Sequence, residues 1–268
     1  MANVSRILRA PAVIRQLSSF WQGYKTWRFF GGWNALKLAE LPPSVPNPLR
    51  DFFDARTTGP GIWKWNHYFD IYHQHFQKFR GRKMRVLEIG VYSGGSLDMW
   101  ADYFGEGCQI IGVDIEPRCL AYERPGVKIV VGDQSSRDFW ARFRAENEPV
   151  DIVIDDGSHV PEMQIITLEE LLPHVRPGGV YVCEDIHGTL SPFSSYAAGL
   201  AQSLNACERG QDNLADGERR IVFQSIPLQS VIQGVFFYPF MVVIEKNPKE
   251  RPELVAAKHG TEWQPFLK

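Results

Sequence analysis

Residues 85–114, RVLEIGVYSGGSLDMWADYFGEGCQIIGVD, decide the fold of this chain. Arg85–Gly90 is a short apolar run closed by glycine, which predicts a buried parallel strand. The turn Val91–Ser96 follows, and its glycines allow positive φ and let a ligand approach the backbone. A helix is expected next, and Gln109–Asp114 predicts a second strand that ends in a carboxylate. This order of elements is typical of a nucleotide-type binding site.

The turn also predicts how the helix begins and what it buries. Ser96 is expected to cap the helix N-terminus. Leu97, Trp100 and Phe104 follow at helical spacing and predict its buried face. At the end of the second strand, Asp114 can accept hydrogen bonds from ribose hydroxyls.

The glycine spacing indicates which nucleotide the site takes. A dinucleotide turn reads G-x-G-x-x-G, whereas here three residues separate Gly90 from Gly94. Glu88 lies at the strand end, where it would repel a diphosphate and suit a cationic ligand such as the methionyl part of S-adenosylmethionine. A glycine turn that only joins a strand to a helix is the alternative.

Composition describes an ordinary globular chain with an uneven charge distribution. Of its 268 residues, 44% are hydrophobic and 22% charged, which is enough for a large α/β domain. Residues 1–50 hold seven Lys/Arg and one acid, a net +6, so the remainder carries −8. The acidic remainder argues against a nucleic-acid-binding body.

Compartment is predicted from the cysteines and the apolar runs. The four cysteines form no C-x-x-C pair and no zinc spacing, which favours a reduced, cytoplasmic protein. No apolar run approaches the ~20 residues needed to cross a bilayer. Arg9, Pro11 and Arg15 interrupt the N-terminal apolar residues, so we expect no signal peptide.

Residues 1–40 alternate basic and aromatic side chains. They could pack on the body or on a second subunit, lie on an anionic membrane surface, or cover the active site. Packing or a subunit contact is favoured, since tryptophans are usually buried, and a homo-oligomer is expected. The four prolines of Leu41–Pro48 predict an extended linker.

Beyond the linker, the hydrophobic pattern predicts a helix over Ile62–Phe79 with one aromatic stripe. His73 and His75 fall on the rims of that stripe, where histidines are usually partly buried hydrogen-bonding groups. From Arg85 onward strands and helices alternate as in βαβ units. Later strands are predicted over Val127–Val131, Val150–Ile154 and Val180–Cys183, helices over Asp138–Glu146 and from Pro161 to about Val175, and a closing hairpin over Val231–Phe237 and Met241–Glu245.

Polar residues cluster at the carboxyl ends of the predicted parallel strands. Open α/β sheets bind their ligands at that edge, so we expect these side chains to form one site. They are Glu88, Asp114, Asp133, Asp155, Asp156, His159, Glu184, Asp185 and His187.

Asp156 and Asp185 follow neighbouring strands and could share a divalent cation. Mg²⁺ typically takes one or two carboxylates and completes its octahedron with waters and substrate oxygens. Such an ion could orient and acidify a substrate hydroxyl, with His159 as general base and His187 as its rival. If there is no metal, the aspartates only cap turns.

Five segments together resemble the class I S-adenosylmethionine-dependent methyltransferases. Within that class the chain is most similar to the metal-dependent sugar O-methyltransferases of macrolide antibiotic biosynthesis. The resemblance covers about residues 59–246. Its segments are Val86–Gly90, Gly112–Asp114, Gly132–Gln134, Ile154–His159 and Pro177–Asp185.

The resemblance implies an α/β fold: a doubly wound, mostly parallel, seven-stranded Rossmann-like sheet with an antiparallel last strand. Residues 1–50 would be an N-terminal extension and 51–268 the methyltransferase domain, with 188–220 forming much of the acceptor pocket. The implied cofactors are S-adenosylmethionine and Mg²⁺, and the partner is a small hydroxyl-bearing natural product. The implied cofactor-binding residues are Glu88, Gly90, Asp114, Asp133, Gln134 and Asp155, to which the turn adds Ser96.

The resemblance also implies Asp156 and Asp185 as metal ligands and His159 as base. One departure concerns a further acidic ligand that the family supplies from the helix before the first strand, where this chain has Tyr72-His73-Gln74-His75. His73 or a water could take that position, or it could be absent. The alternatives in function are a nucleotide-cofactor oxidoreductase and a non-catalytic subunit of methyltransferase fold whose aromatic N-terminus is the working surface.

Overall fold

A computed structural model describes residues 17–26, 46–188, 190–206, 220–257 and 259–260. The chain divides into two compact units, residues 1–46 and 47–268. In the first unit, residues 17–26 form a helix, α1. Predictions that fall on residues 1–16 and 27–45 lie outside the described residues. Among the described helices, we find none with the length and apolarity that a membrane span requires.

The second unit alternates helices and strands. Its helices are α2 (Pro48–Ala55), α3 (Tyr68–Phe76), α4 (Gly95–Phe104), α5 (Arg137–Glu146), α6 (Pro161–Leu171), α7 (Pro192–Ser203) and α8 (Pro227–Val231). Its strands are β1 (Met84–Ile89), β2 (Cys108–Asp114), β3 (Val127–Val131), β4 (Val150–Asp155), β5 (Val175–Cys183), β6 (Arg220–Gln224), β7 (Ile232–Tyr238), β8 (Met241–Lys246) and β9 (Glu253–Ala257).

Seven strands form one sheet in the order β3-β2-β1-β4-β5-β8-β7. Strands β1 to β5 pair in parallel, whereas β8 runs antiparallel to both β5 and β7. The predicted doubly wound sheet with an antiparallel last strand is confirmed. Strands β6 and β9 form a separate two-stranded sheet that the sequence did not predict.

The sheet separates two hydrophobic cores because successive strand residues point to opposite faces. Val86 joins the core that contains Tyr72 and Trp100, while Leu87 joins the core that contains Trp140. All five side chains are at most 1% exposed. The central strands are therefore buried on both faces, as their continuous apolar runs predicted.

The predicted helix over Ile62–Phe79 is wrong at its beginning. Helix α3 begins at Tyr68, and residues 61–65 are not helical. The stripe beyond Trp65 is buried as predicted. Lys64 and Trp65 leave the helical path because they make hydrogen bonds to the ends of β4 and β5.

The predicted linker is also too long at its C-terminal end. The extended linker does not include Asn47 and Pro48. The Asn47 carboxamide oxygen accepts a hydrogen bond from the Leu49 amide at 3.1 Å and caps α2. Pro48 takes the first helical position, where a missing N–H costs nothing.

Strand and helix ends near Pro177-Gly178-Gly179 differ from the prediction. Helix α6 ends at Leu171 and a short 3₁₀ turn, Leu172–His174, follows it. Strand β5 begins at Val175, five residues before the predicted start. An irregularity in the β4–β5 register lets the strand continue through the glycines.

Candidate active site

A cavity of about 1310 Å³ lies at the carboxyl edge of the sheet. Its walls come from the segments that follow β1 to β5, together with residues 61–66. The predicted site residues that line it are Gly90, Ser96, Asp114, Asp133, Gln134, Asp156, His159, Asp185 and His187. Glu88 and Asp155 are fully buried.

Gly90 permits the segments after β1 and β4 to touch. Its φ is +90°, and a Cβ atom at this position would lie 2.0 Å from the carbonyl oxygen of Asp156. A side chain here would push apart the two segments that carry the site.

Asp114 organises the glycine turn. Its Oδ2 accepts hydrogen bonds from the amides of Val91 (2.8 Å) and Tyr92 (3.1 Å), and its Oδ1 accepts one from the Glu116 amide (2.9 Å). A carboxylate has about four lone-pair sites, so Asp114 keeps acceptor capacity for a ligand.

Asp155 holds the side chain of Gln134 in place. Its Oδ1 accepts a hydrogen bond from Gln134 Nε2 at 2.6 Å, and Gln134 Oε1 accepts one from the Ser158 amide at 2.9 Å. Burial raises the pKa of Asp155 to about 7. Asp133, by contrast, is exposed, and hydrogen bonds from Ser135 lower its pKa. Asp155 thus fixes the carboxamide of Gln134, whereas Asp133 faces solvent.

Ser96 does not cap α4, contrary to the prediction. Gly94, at φ +73°, occupies the N-cap position and Ser96 lies inside the helix. The Ser96 hydroxyl donates to Glu88 Oε2 at 2.8 Å, and Trp100 Nε1 donates to Glu88 Oε1 at 3.0 Å. Burial raises the pKa of Glu88. Ser96 and Trp100 therefore satisfy a buried carboxyl group.

Lys64 is a site residue that the sequence reasoning missed. Its Nζ donates to Asp156 Oδ2 (2.6 Å) and Glu184 Oε2 (2.9 Å) and lies 3.9 Å from Glu88 Oε1. Burial opposes the ammonium charge, but the three carboxylates outweigh it and raise the pKa of Lys64. Glu184 also accepts a hydrogen bond from the Tyr72 hydroxyl at 2.5 Å. Lys64 is therefore a buried cation that links Asp156 to the buried carboxyl groups of Glu184 and Glu88.

Asp156, His159 and Asp185 come together as predicted from their positions at strand ends. One ligand atom from each residue lies within 4.8 Å of the others. His159 Nε2 lies 4.0 Å from Asp156 Oδ1 and 3.8 Å from Asp185 Oδ2. His159 (φ +56°) and Asp185 (φ +53°) both have left-handed backbone, a strained conformation that often marks functional sites.

Each aspartate has one oxygen held by the protein and one directed to this cluster. Lys64 holds Asp156 Oδ2, and Asp185 Oδ1 accepts from Trp65 Nε1 (2.9 Å) and the Tyr68 hydroxyl (2.9 Å). The remaining oxygens, Asp156 Oδ1 and Asp185 Oδ2, are those that face His159. Mg²⁺ binds oxygen at 2.0–2.1 Å, so this arrangement fits one ion with two monodentate carboxylates.

The structure does not bring His73 to the cluster, so it does not support His73 as a metal ligand. Tyr68 and Tyr72 lie one turn apart on the face of α3 that reaches Asp185 and Glu184. His73 lies on a different face, where its Nδ1 is hydrogen-bonded to the Tyr103 hydroxyl at 2.9 Å. The helical spacing therefore separates His73 from the site.

His187 is a weaker candidate for the base than His159. Its Nε2 lies 3.9 Å from Asp185 Oδ1, the oxygen that Trp65 and Tyr68 already hold. His159 instead faces Asp185 Oδ2. The geometry favours His159.

Residues 188–220 were expected to form much of the acceptor pocket. In their described part, α7 packs Phe193 and Ala197 into the core. The cavity wall after β5 is formed by Glu184, Asp185 and His187. Helix α7 therefore has a packing role, and residues 207–219 lie outside the described residues.

Comparison with known proteins bears on the family of this chain. Residues 87–186 match a family described as a methyltransferase domain. Demethylmacrocin O-methyltransferase of Streptomyces fradiae is 44% identical over 228 residues, 74% of this chain and 56% of that protein. Mycinamicin VI 2''-O-methyltransferase of Micromonospora griseorubida is 43% identical over 217 residues, 70% of this chain and 53% of that protein.

A solved structure has the same fold. The MycE methyltransferase of the mycinamycin pathway, in complex with Mg, SAH and mycinamycin VI, superposes with a TM-score of 0.58 at 28% identity. The match covers 75% of this chain and 54% of that one. This chain thus spans about half the length of the curated relatives it matches.

Residues 87–186 match a methyltransferase domain, and the sheet that carries them has the Rossmann-like strand order expected for that fold. Within that class, the chain is similar to the sugar O-methyltransferases of macrolide biosynthesis.

Proposed function

We propose that this chain transfers a methyl group from S-adenosylmethionine to a sugar hydroxyl of a glycosylated natural product, assisted by Mg²⁺. The observation that carries the proposal is the cluster of Asp156, His159 and Asp185, in which two carboxylate oxygens face one imidazole. The names of the relatives supply the acceptor class, because one of them, from Streptomyces olivaceus, is an 8-demethyl-8-alpha-L-rhamnosyl tetracenomycin-C 2'-O-methyltransferase.

The residues divide into two groups by the part of the reaction they serve. Asp114, Asp133 and Gln134 line the cavity on the side of β2 and β3 and would hold the nucleoside. Asp156 and Asp185 would hold Mg²⁺, which when bound would orient the acceptor hydroxyl and make it more acidic. His159 would accept the hydroxyl proton at Nε2 as the new bond forms.

Lys64 would position Asp156 for this task. Its hydrogen bond to Oδ2 fixes the carboxylate and leaves Oδ1 toward the cluster. Trp65 and Tyr68 do the same for Asp185. Held side chains lower the reorganisation needed when substrates arrive.

The test is methyl transfer to a panel of macrolide and aromatic-polyketide glycosides, followed by mass spectrometry. His159→Ala should reduce turnover by about 10²–10⁴ and leave the affinity for S-adenosylhomocysteine nearly unchanged. His187→Ala is the matched control and should retain most turnover when the acceptor is saturating. Full turnover in His159→Ala together with insensitivity to EDTA would exclude the metal-and-base mechanism.

Cofactor choice separates this proposal from an oxidoreductase on a similar sheet. Calorimetry should detect binding of S-adenosylhomocysteine and none of NAD. Tighter binding of NAD than of S-adenosylhomocysteine would refute the methyltransferase proposal.

We also propose that the N-terminal extension contacts a second subunit. In the first unit, Leu17, Phe20 and Trp21 of α1 are 54%, 48% and 43% exposed, and such an aromatic surface favours association. Deletion of residues 1–40 should lower the mass measured by light scattering. Unchanged mass with lost liposome binding would favour a membrane surface instead.

A further inference from the structure

Three aromatic rings meet beside the Asp156–His159–Asp185 cluster: Trp65 and His187 line the cavity, and the ring of Phe240 packs against both. We call Trp65, His187 and Phe240 the aromatic rim. Ring centroids are 5.2 Å apart for Trp65 and Phe240, 4.9 Å for His187 and Phe240, and 6.2 Å for Trp65 and His187. Trp65 remains 46% and Phe240 39% exposed. The rings contact one another and still present surface to a ligand.

The Trp65 ring is tied to the reactive cluster by a direct hydrogen bond. Its Nε1 donates to Asp185 Oδ1 at 2.9 Å, so the indole lies next to a proposed metal ligand. The contact fixes the orientation of the ring relative to the cluster.

Phe240 is held in a strained backbone conformation. It lies in the turn between β7 and β8 with φ +62°, a left-handed conformation that a bulky residue rarely adopts. Its carbonyl oxygen accepts hydrogen bonds from the Tyr68 hydroxyl (3.0 Å) and the Ile186 amide (3.0 Å). Tyr68 shares its one hydroxyl proton between this carbonyl and Asp185 Oδ1, so one side chain links the turn to the cluster. The strain is retained where the turn supports the site.

We propose that the aromatic rim binds the pyranose ring of the acceptor, which rests on the proposed function. A hydroxyl placed at the cluster is joined directly to its sugar ring, so that ring must lie in the immediate surroundings of Asp185. The negative faces of aromatic rings attract the weakly positive C–H groups on one face of a pyranose. The aglycone is joined farther along the acceptor and would lie beyond the rim.

The hairpin offers a matched control for Phe240. Phe237 lies three residues earlier, in β7, is 45% exposed, and, among the described residues, makes no ring contact with Trp65 or His187, whereas Phe240 contacts both. Substitution of either phenylalanine by alanine removes the same ring from the same hairpin. A difference between the two variants therefore reports on the position of the ring.

The experiment is saturation-transfer NMR with methyl α-L-rhamnopyranoside, in the presence of S-adenosylhomocysteine and Mg²⁺. Wild type and Phe237→Ala should saturate the protons on one face of the sugar. Phe240→Ala should weaken the sugar affinity about 2- to 12-fold, the fold-change of an aromatic contact. Phe240→Tyr, which keeps the ring, should restore binding and so exclude a folding defect. Affinity for S-adenosylhomocysteine should not change.

The outcomes separate this inference from the proposed function. Equal sugar affinity in wild type and Phe240→Ala, with methyl transfer intact, would overturn the aromatic rim and leave the activity standing. Ring-dependent sugar binding without methyl transfer to any glycoside would support the rim and refute the activity.

Discussion

The two halves of the cavity are built by different interactions. On the side of β2 and β3, Asp114 accepts from backbone amides of the glycine turn and of its own strand exit. On the side of β4 and β5, Asp156 and Asp185 are held by the side chains of Lys64 and Trp65, which lie 92 and 120 positions away in the chain. The nucleoside half therefore depends on local backbone geometry, and the cluster half depends on a distant segment.

This difference implies different responses to substitution. A hydrogen bond to a charged group contributes about 1.5–3 kcal/mol. Removal of one partner from a buried ion pair costs about 3–5 kcal/mol, because it leaves an uncompensated charge. We therefore expect changes at Lys64 to affect the whole fold. Changes on the nucleoside side should affect mainly the cofactor.

The largest expected effect is on stability, in Lys64→Met. Loss of the ammonium leaves Glu184, Glu88 and Asp156 without their shared cation, and should lower the free energy of unfolding by about 3–5 kcal/mol. Urea denaturation measures this change in the free energy of unfolding. Glu184→Gln in the Lys64→Met background should recover part of the loss. A loss below about 1 kcal/mol would mean that Lys64 does not compensate these carboxylates.

A smaller effect is expected for Asp114→Ala, on the nucleoside side. Cofactor binding should weaken by about 1.5–3 kcal/mol, as for hydrogen bonds to a charged group. Calorimetry with S-adenosylhomocysteine measures the change. Asp114→Asn keeps an acceptor for the Val91 amide and should lose less. Equal losses in both variants would indicate that the charge carries the whole effect.

The smallest effect is expected for Glu245→Gln, away from the cavity. Glu245 pairs with Val180 near the opposite edge of the sheet, and hydrogen bonding from His75 lowers its pKa. A carboxyl group whose pKa is lowered by folding stabilises the fold at pH values above its unfolded pKa. That contribution is lost as the pH falls through its folded pKa. In urea denaturation at pH 7, the free energy of unfolding of wild type should exceed that of the variant by about 0.5–1 kcal/mol. The difference should shrink as the pH falls below the unfolded pKa of a glutamate, about 4.3, and vanish once the folded carboxyl is protonated. A difference that grew in acid would reverse this assignment.

The sequence predicted those features that are local in the chain. The apolar run of β1, the glycine turn and the acid that ends β2 lie within thirty residues, and the structure has them in the expected order. The meeting of Asp156, His159 and Asp185 was also predictable, because the carboxyl ends of parallel strands share one edge.

The sequence did not predict features that depend on distant contacts. Helical periodicity placed Trp65 in a helix. In the structure its hydrogen bond to Asp185 holds residues 61–65 in the cavity wall, outside the helix. Ser96 had the character of an N-cap, yet Glu88, buried beside it, takes its hydroxyl. The sequence Trp63-Lys64-Trp65, a lysine between two tryptophans, was the one available signal for a buried cation.

The most direct test of the central claim is metal binding at the Asp156–His159–Asp185 cluster. Mn²⁺ can replace Mg²⁺ at oxygen ligands, so electron paramagnetic resonance can count bound Mn²⁺ with S-adenosylhomocysteine present. Wild type and His159→Ala should bind one Mn²⁺ per chain. Asp156→Asn and Asp185→Asn, which keep acceptors for Lys64 and for Trp65 and Tyr68, should lose it. Unchanged Mn²⁺ binding in both asparagine variants would contradict the proposed metal site.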